Sequence, residues 1–278
     1  MQYADYTNKN DYPRTEALNS IMLKVQGFDY VMENMGGLAV PENDQEPNEN
    51  LMKGPIAHKV VELLVNKNAT EAYSLNEIQT RFEEQYDELF EQAMAAEPEC
   101  AAFLNLPENV NVLAVFKADA KESIKHLIDI IKEKQLTPLR SEYEFSTPFG
   151  PFSNPHGFVD LLLKDEKGNL VIFDLKWSTQ KVYEQAIKEG GEAYQLYMYK
   201  HAVEAQTHKT VAWYAYYLFP LKELYTEPGG TDPKWEEWIQ KRENRLVQLS
   251  KGIIEPVVKN STKEKYPNHI ILKNHKMK

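Results

Sequence analysis

A single cysteine, Cys100, stands among 278 residues. No disulfide can form within the chain, and a four-cysteine iron–sulfur cluster is excluded. The simplest compartment for such a chain is the cytoplasm. No apolar run approaches the length of a membrane span, and the N-terminus lacks the basic-then-apolar order of a signal peptide. A glycine-rich loop spaced to cradle a phosphate is also missing, so the chain cannot itself power strand separation. Internal repeats and low-complexity tracts are absent too. Positive charge is in deficit, with 32 Lys and Arg against 42 Asp and Glu and a net charge of −10. That balance argues against a stand-alone, high-affinity nucleic-acid binder, because neutralised phosphates supply most non-specific affinity. It leaves room for a local basic groove and for carboxylates gathered around a cation.

What is present begins with enough apolar surface for a core. The chain is 42% hydrophobic and 11% aromatic, which suits one large domain or two small ones. Its organising stretch runs from Gly157 to Lys176. Two apolar, β-branched-rich runs flank a polar turn containing Gly168 and Asn169, which signals strand–turn–strand. Strand alternation puts Leu170, Ile172, Asp174 and Lys176 on one face and Val171, Phe173 and Leu175 on the other. If Lys164 pairs with Leu170, then Asp160 falls opposite Asp174 on the same face, whereas a one-residue slip reverses it. Two carboxylates that close are costly without a cation between them. Hard divalent cations such as magnesium or manganese suit oxygen ligands.

These residues resemble the core of the PD-(D/E)XK nuclease superfamily. Gly157-x-x-Asp160 and Asp174-x-Lys176 carry the resemblance. Gln195-Leu-Tyr-Met-Tyr199 is similar to the Gln-x-x-x-Tyr motif of the RecB-like exonuclease branch, and Gly54-x-x-x-His58 opens an apolar helix as in that branch. The resemblance covers roughly residues 50 to 255. It implies an α/β fold with a restriction-endonuclease-like core, a central mixed sheet flanked by helices, and additional N-terminal helices. It also implies one or two magnesium or manganese ions held by Asp160, Asp174, the Leu175 carbonyl and His58. Lys176 would orient water or stabilise developing charge. Gln195 would reach a phosphate or position water, and Tyr199 would stack or hydrogen-bond along the bound strand. The implied function is a metal-dependent deoxyribonuclease, an exonuclease in DNA repair, recombination or mobile-element processing. The alternative is a nuclease-like binding or assembly module within a helicase–nuclease complex. A third reading is an unrelated hydrolase of small phosphate esters. DNA is the expected partner, with room for a protein partner or a homo-oligomer and none for a membrane.

The remaining chain divides into a helical and loop extension over 1–50, a nuclease-like domain over 51–255 and a basic tail over 256–278. Helical spacing predicts helices over 14–35, 54–66 (with Pro55 in the first turn), 75–96, 112–135, 182–205 and 235–249. The segment between about 75 and 135 forms an inserted helical unit. Loops fall at 36–53, between 98 and 109, and at 147–156. Strands are expected at 139–146 and, centrally, at 209–219. Glu142 and Glu144 share a strand face and read as solvated. Glu62 lies one turn after His58, and His156 lies near the expected mouth of the site.

Overall fold

The computed structural model describes residues 49–153, 155–180, 193–228 and 235–251, with Tyr183, Glu184 and Ile187 in between. The expected helix over 14–35, most of the loop at 36–53 and the tail over 256–278 lie outside them. In chain order the elements are α1 (Glu49–Val65), α2 (Leu75–Ala96), α3 (Pro98–Leu104), α4 (Val110–Glu133), β1 (Thr137–Phe145), β2 (Gly157–Lys164) and β3 (Leu170–Lys176). Then follow α5 (Tyr194–Thr207), β4 (Val211–Leu218), β5 (Glu223–Pro228) and α6 (Trp235–Ser250).

The five strands form one sheet in the order β1-β2-β3-β4-β5. All neighbours are antiparallel except β3 and β4, which run parallel. A parallel pair needs a crossover, and the chain between β3 and β4 contains α5. The sheet is buried on both faces. Val171, Phe173 and Leu175 pack with α1, α2, α3 and α4, while Leu170 and Ile172 pack with α5 and α6. The alternation read from β3 therefore separates two hydrophobic layers, and the fold is the expected helix-flanked mixed α/β sheet.

Local chemistry fixes most element ends. Ser74 caps α2, accepting from Glu77 N–H at 3.4 Å while Glu77 Oε2 accepts from Ser74 N–H at 2.8 Å, a reciprocal capping box. The β2–β3 turn closes on Asp165, whose carboxylate accepts from Asn169 N–H at 2.8 Å, with Gly168 at φ +87°.

Some expectations need correction. Residues 49–53 are helical rather than loop, so Pro55 lies inside α1 and not in its first turn. Proline removes one backbone donor there, and burial of Ile56, Ala57, Val60 and Val61 holds the helix across it. The connection between 98 and 109 contains α3, which buries Cys100 and Leu104. Of the expected 182–205 helix, Tyr183, Glu184 and Ile187 are helical, and α5 takes up its second part from Tyr194 to Thr207. The long aromatic strand, β4, is interior but not the middle strand, which is β3. Beyond β4 lies β5, a short edge strand that the sequence did not announce.

Candidate active site

Asp160 and Asp174 meet where β2 and β3 part. The register is the predicted one: Lys164 pairs with Leu170, and pairing continues to Leu161 with Phe173. The next opposed residues are Asp160 and Asp174, and there the ladder stops. The Leu175 N–H, left without a strand partner from β2, donates to Asp160 Oδ2 at 2.7 Å. On the far side of β2, Ser141 pairs with Leu161 and Tyr143 with Val159, which sets Glu142 opposite Asp160. Glu142, Asp160 and Asp174 thus form a row of carboxylates across three adjacent strands. Neighbouring strands are about 4.8 Å apart, and like charges directly opposed are destabilising. Such a row asks for a cation.

His58 enters from α1. Its Nε2 lies 2.8 Å from the Leu175 carbonyl oxygen. A carbonyl only accepts, so Nε2 carries the proton and Nδ1 faces the carboxylates. Nδ1 is 3.9 Å from both Glu142 Oε1 and Asp160 Oδ1. Burial acts to lower the His58 pKa, but Asp160 and Glu142 outweigh it and hold the imidazole above its ordinary value. Among the described residues, His58, Glu142 and Asp160 form the group whose ligand atoms all lie within 4.8 Å of one another.

Asp174 is fully buried, and neither of its oxygens accepts a hydrogen bond of good geometry. Its compensation is an ion pair, with Lys176 Nζ 2.7 Å from Oδ2. Burial pushes the Asp174 carboxyl up to about 7, more than Lys176 pulls it down. Burial also acts to lower the Lys176 ammonium, but Asp174 and Asp160 outweigh it and raise it to about 12. The lysine therefore stays charged beside the carboxylate row. Trp177, the next residue, anchors this strand end by stacking on Phe219 at 5.8 Å and meeting Phe116 edge-on at 4.8 Å.

Gln195 and Tyr199 approach from α5 in the opposite layer. Gln195 Nε2 donates to the Tyr199 hydroxyl at 2.8 Å. Tyr199 is 8% exposed and packs edge-on against Phe145, so its ring does not present a stacking face to solvent. Burial, then Asp174 and Asp160, raise its pKa well above the ordinary phenol value, which places the hydroxyl within the field of the carboxylates.

The expected ligand set of His58, Asp160, Asp174 and Leu175 is divided in this arrangement. His58 and Asp160 join Glu142, while Asp174 is paired with Lys176 and the Leu175 carbonyl accepts from His58. Glu142 differs most from expectation. Its side chain is 33% exposed, but it faces His58 rather than solvent alone. Glu144 does not follow it, and pairs with His156 at 3.0 Å on an exposed surface. Glu62 is tied to Lys59 at 2.6 Å. A donor set of one imidazole and two carboxylates, beside a buried carboxylate lacking hydrogen bonds, fits a hard divalent cation.

The family model for the PD-(D/E)XK nuclease superfamily matches residues 27–261, and the chain belongs to this superfamily. PD-(D/E)XK nucleases use divalent metals, in keeping with the donor set. No curated protein sequence matches the chain at a significant level. Among the described residues, no helix is long and apolar enough to cross a membrane.

Proposed function

We propose that this protein is a metal-dependent deoxyribonuclease of the RecB-like branch, acting as an exonuclease on DNA ends or single strands in the cytoplasm. The observation that carries the reading is the row Glu142–Asp160–Asp174 at the parted end of β2 and β3, with Lys176 ion-paired beside it. The exonuclease assignment is supported by four RecB-like motifs in order: Gly54…His58, Gly157…Asp160, Asp174-x-Lys176 and Gln195…Tyr199.

His58, Asp160 and Asp174 are the residues that would hold magnesium or manganese, with Glu142 added by the geometry and the Leu175 carbonyl by family likeness. Such a cation, when bound, polarises a phosphoryl oxygen and makes water a stronger nucleophile. Lys176 holds a full positive charge at a fixed place and stabilises negative charge developing on the phosphate. Asp174 keeps that ammonium aimed. Gln195 orients the Tyr199 hydroxyl, and the pair supplies neutral hydrogen-bonding groups from the α5 side.

The test is cleavage of labelled single- and double-stranded DNA with magnesium, manganese or EDTA, comparing wild type with Asp174→Asn and Lys176→Ala. Metal-dependent cutting lost in both variants supports the reading, and progressive shortening from an end distinguishes exonuclease from internal cleavage. A second reading, a nuclease-like binding or assembly module in a helicase–nuclease complex, is favoured by the net charge of −10. It gains if folded, metal-loaded wild type cuts neither substrate.

A further inference from the structure

Asn66 is the first residue past α1, and its side chain bonds to β1. Its Nδ2 donates to the Ser141 carbonyl at 3.0 Å, and its Oδ1 accepts from Ser141 N–H at 2.9 Å. The amide behaves as a one-residue strand on the outer edge of β1. Exchanging its oxygen and nitrogen would set donor against donor, so the two bonds determine its orientation. From the other side, the buried Ser141 Oγ donates to the Asp160 carbonyl at 2.8 Å. Ser141 is therefore gripped by α1 and by β2 together.

The residue after this grip is Glu142, with φ +51°. The other non-glycine residues with positive φ among the described residues are Gln135 and His208, which follow the ends of α4 and α5, and Lys222, which follows a single 3-10 turn over Phe219–Leu221. Glu142 alone lies inside a strand. A left-handed glutamate is unfavourable and persists only where its surroundings over-determine it. Here the turn of the backbone accompanies the approach of the carboxylate to His58 and Asp160. His58 lies within α1 and Asn66 directly follows it, about 12 Å further along the helix axis. α1 thus carries an imidazole of the site at its middle, and the clamp on the neighbouring strand follows directly on its C-terminal end.

We propose that Asn66 is a positioning residue for the cation site: its clamp on Ser141 holds Glu142 left-handed, so that this carboxylate completes the group with His58 and Asp160. The inference rests on the cation-binding reading given above. It predicts that an uncharged side chain outside the donor set controls metal affinity.

The experiment is manganese binding to the full-length, DNA-free protein, followed by calorimetry and by the spin-resonance signal of free Mn2+. Wild type, Asn66→Ala, Asn66→Asp, Glu142→Gln and Asn66→Ala/Glu142→Gln are compared, with folding checked by circular dichroism. Asn66→Ala is expected to weaken Mn2+ binding about tenfold, the scale seen when residues that orient metal ligands are changed. In the Glu142→Gln background the same change is expected to have no further effect, because there is no carboxylate left to aim. Asn66→Asp keeps the acceptor for Ser141 N–H but opposes the Ser141 carbonyl, so it weakens binding despite an added negative charge. It also serves for the comparison should Asn66→Ala not fold. Unchanged affinity in the folded Asn66 variants, or equal losses with and without Glu142, overturns the inference. A folded wild type that binds no Mn2+ overturns the site reading itself, and this inference with it.

Discussion

The Asp160 carboxylate takes the place of a strand: its Oδ2 accepts the Leu175 N–H at 2.7 Å, at the first position where β2 and β3 no longer pair. One residue thus has a structural duty on one oxygen and faces His58 with the other. The two duties separate by substitution. Asp160→Asn keeps an acceptor for Leu175 and is expected to unfold within about 1 kcal/mol of wild type, while losing metal binding. Asp160→Ala leaves a buried N–H unpaired and costs about 1–3 kcal/mol more. Urea unfolding beside Mn2+ titration checks both. Equal stability of the two variants would remove the structural duty.

Asp174 presents the opposite balance. It is fully buried without a well-formed hydrogen bond, and burial raises its carboxyl to about 7. The fold therefore favours a neutral group there. Asp174→Asn is expected to leave the metal-free protein as stable as wild type or more so. Wild type should gain about 2.7 kcal/mol from a cation present at a hundred times its dissociation constant, and the variant should gain none. Melting curves with and without Mn2+ decide this. A marked loss of metal-free stability in Asp174→Asn would show instead that the pair with Lys176 stabilises the fold.

Gly157 opens β2, and a Cβ there would lie 2.6 Å from Phe145 Cζ. Phe145 is fully buried and packs edge-on to Tyr199 at 6.0 Å, so it has little room to retreat. Gly157→Ala is expected to cost about 1–3 kcal/mol through overpacking. Phe145→Leu in the same chain should return part of that loss, as read by denaturant midpoint. Full stability of Gly157→Ala would mean that the ring moves freely.

Tyr217 is fully buried, and its hydroxyl donates to the Ser123 carbonyl at 2.6 Å, while Ser123 Oγ donates to the Phe219 carbonyl at 2.6 Å. These bonds tie α4 to the end of β4. Burial raises the Tyr217 phenol above its ordinary value. A raised folded-state pKa means that the contribution is complete below the unfolded value, about 10, and is lost as pH rises through the folded one. Tyr217→Phe should cost about 0.5–1.5 kcal/mol at neutral pH by removing this one hydrogen bond, since the Ser123 carbonyl keeps its place in the α4 ladder. It should also flatten the fall in stability above pH 10. An alkaline profile identical to wild type would place that fall on other tyrosines.

The helix over 75–96 was legible in the sequence to the residue, because its apolar stripe is a local signal, and the structure adds the capping box that fixes its start. β5 was not legible. Six residues ending in proline carry little propensity, and the exposed edge of β4 decides their state. The site divides in the same manner. Asp160, Asp174 and Lys176 follow from period-two alternation and a short polar turn that sets Lys164 against Leu170, which puts both carboxylates on one face. The pairing of His58 with the Leu175 carbonyl joins residues 117 positions apart, and no spacing in the chain encodes it.

What the sequence determined by itself was therefore the hairpin: which faces its residues take, and that Asp160 stands opposite Asp174. What only the tertiary structure decided was the third carboxylate. A strand's alternation would leave Glu142 and Glu144 equivalent, but Glu142 turns left-handed beside the Asn66 clamp. The reason is physical. Side-chain direction along one strand is a local property, whereas the register between strands and the conformation of a clamped residue depend on contacts the chain makes only once it is folded.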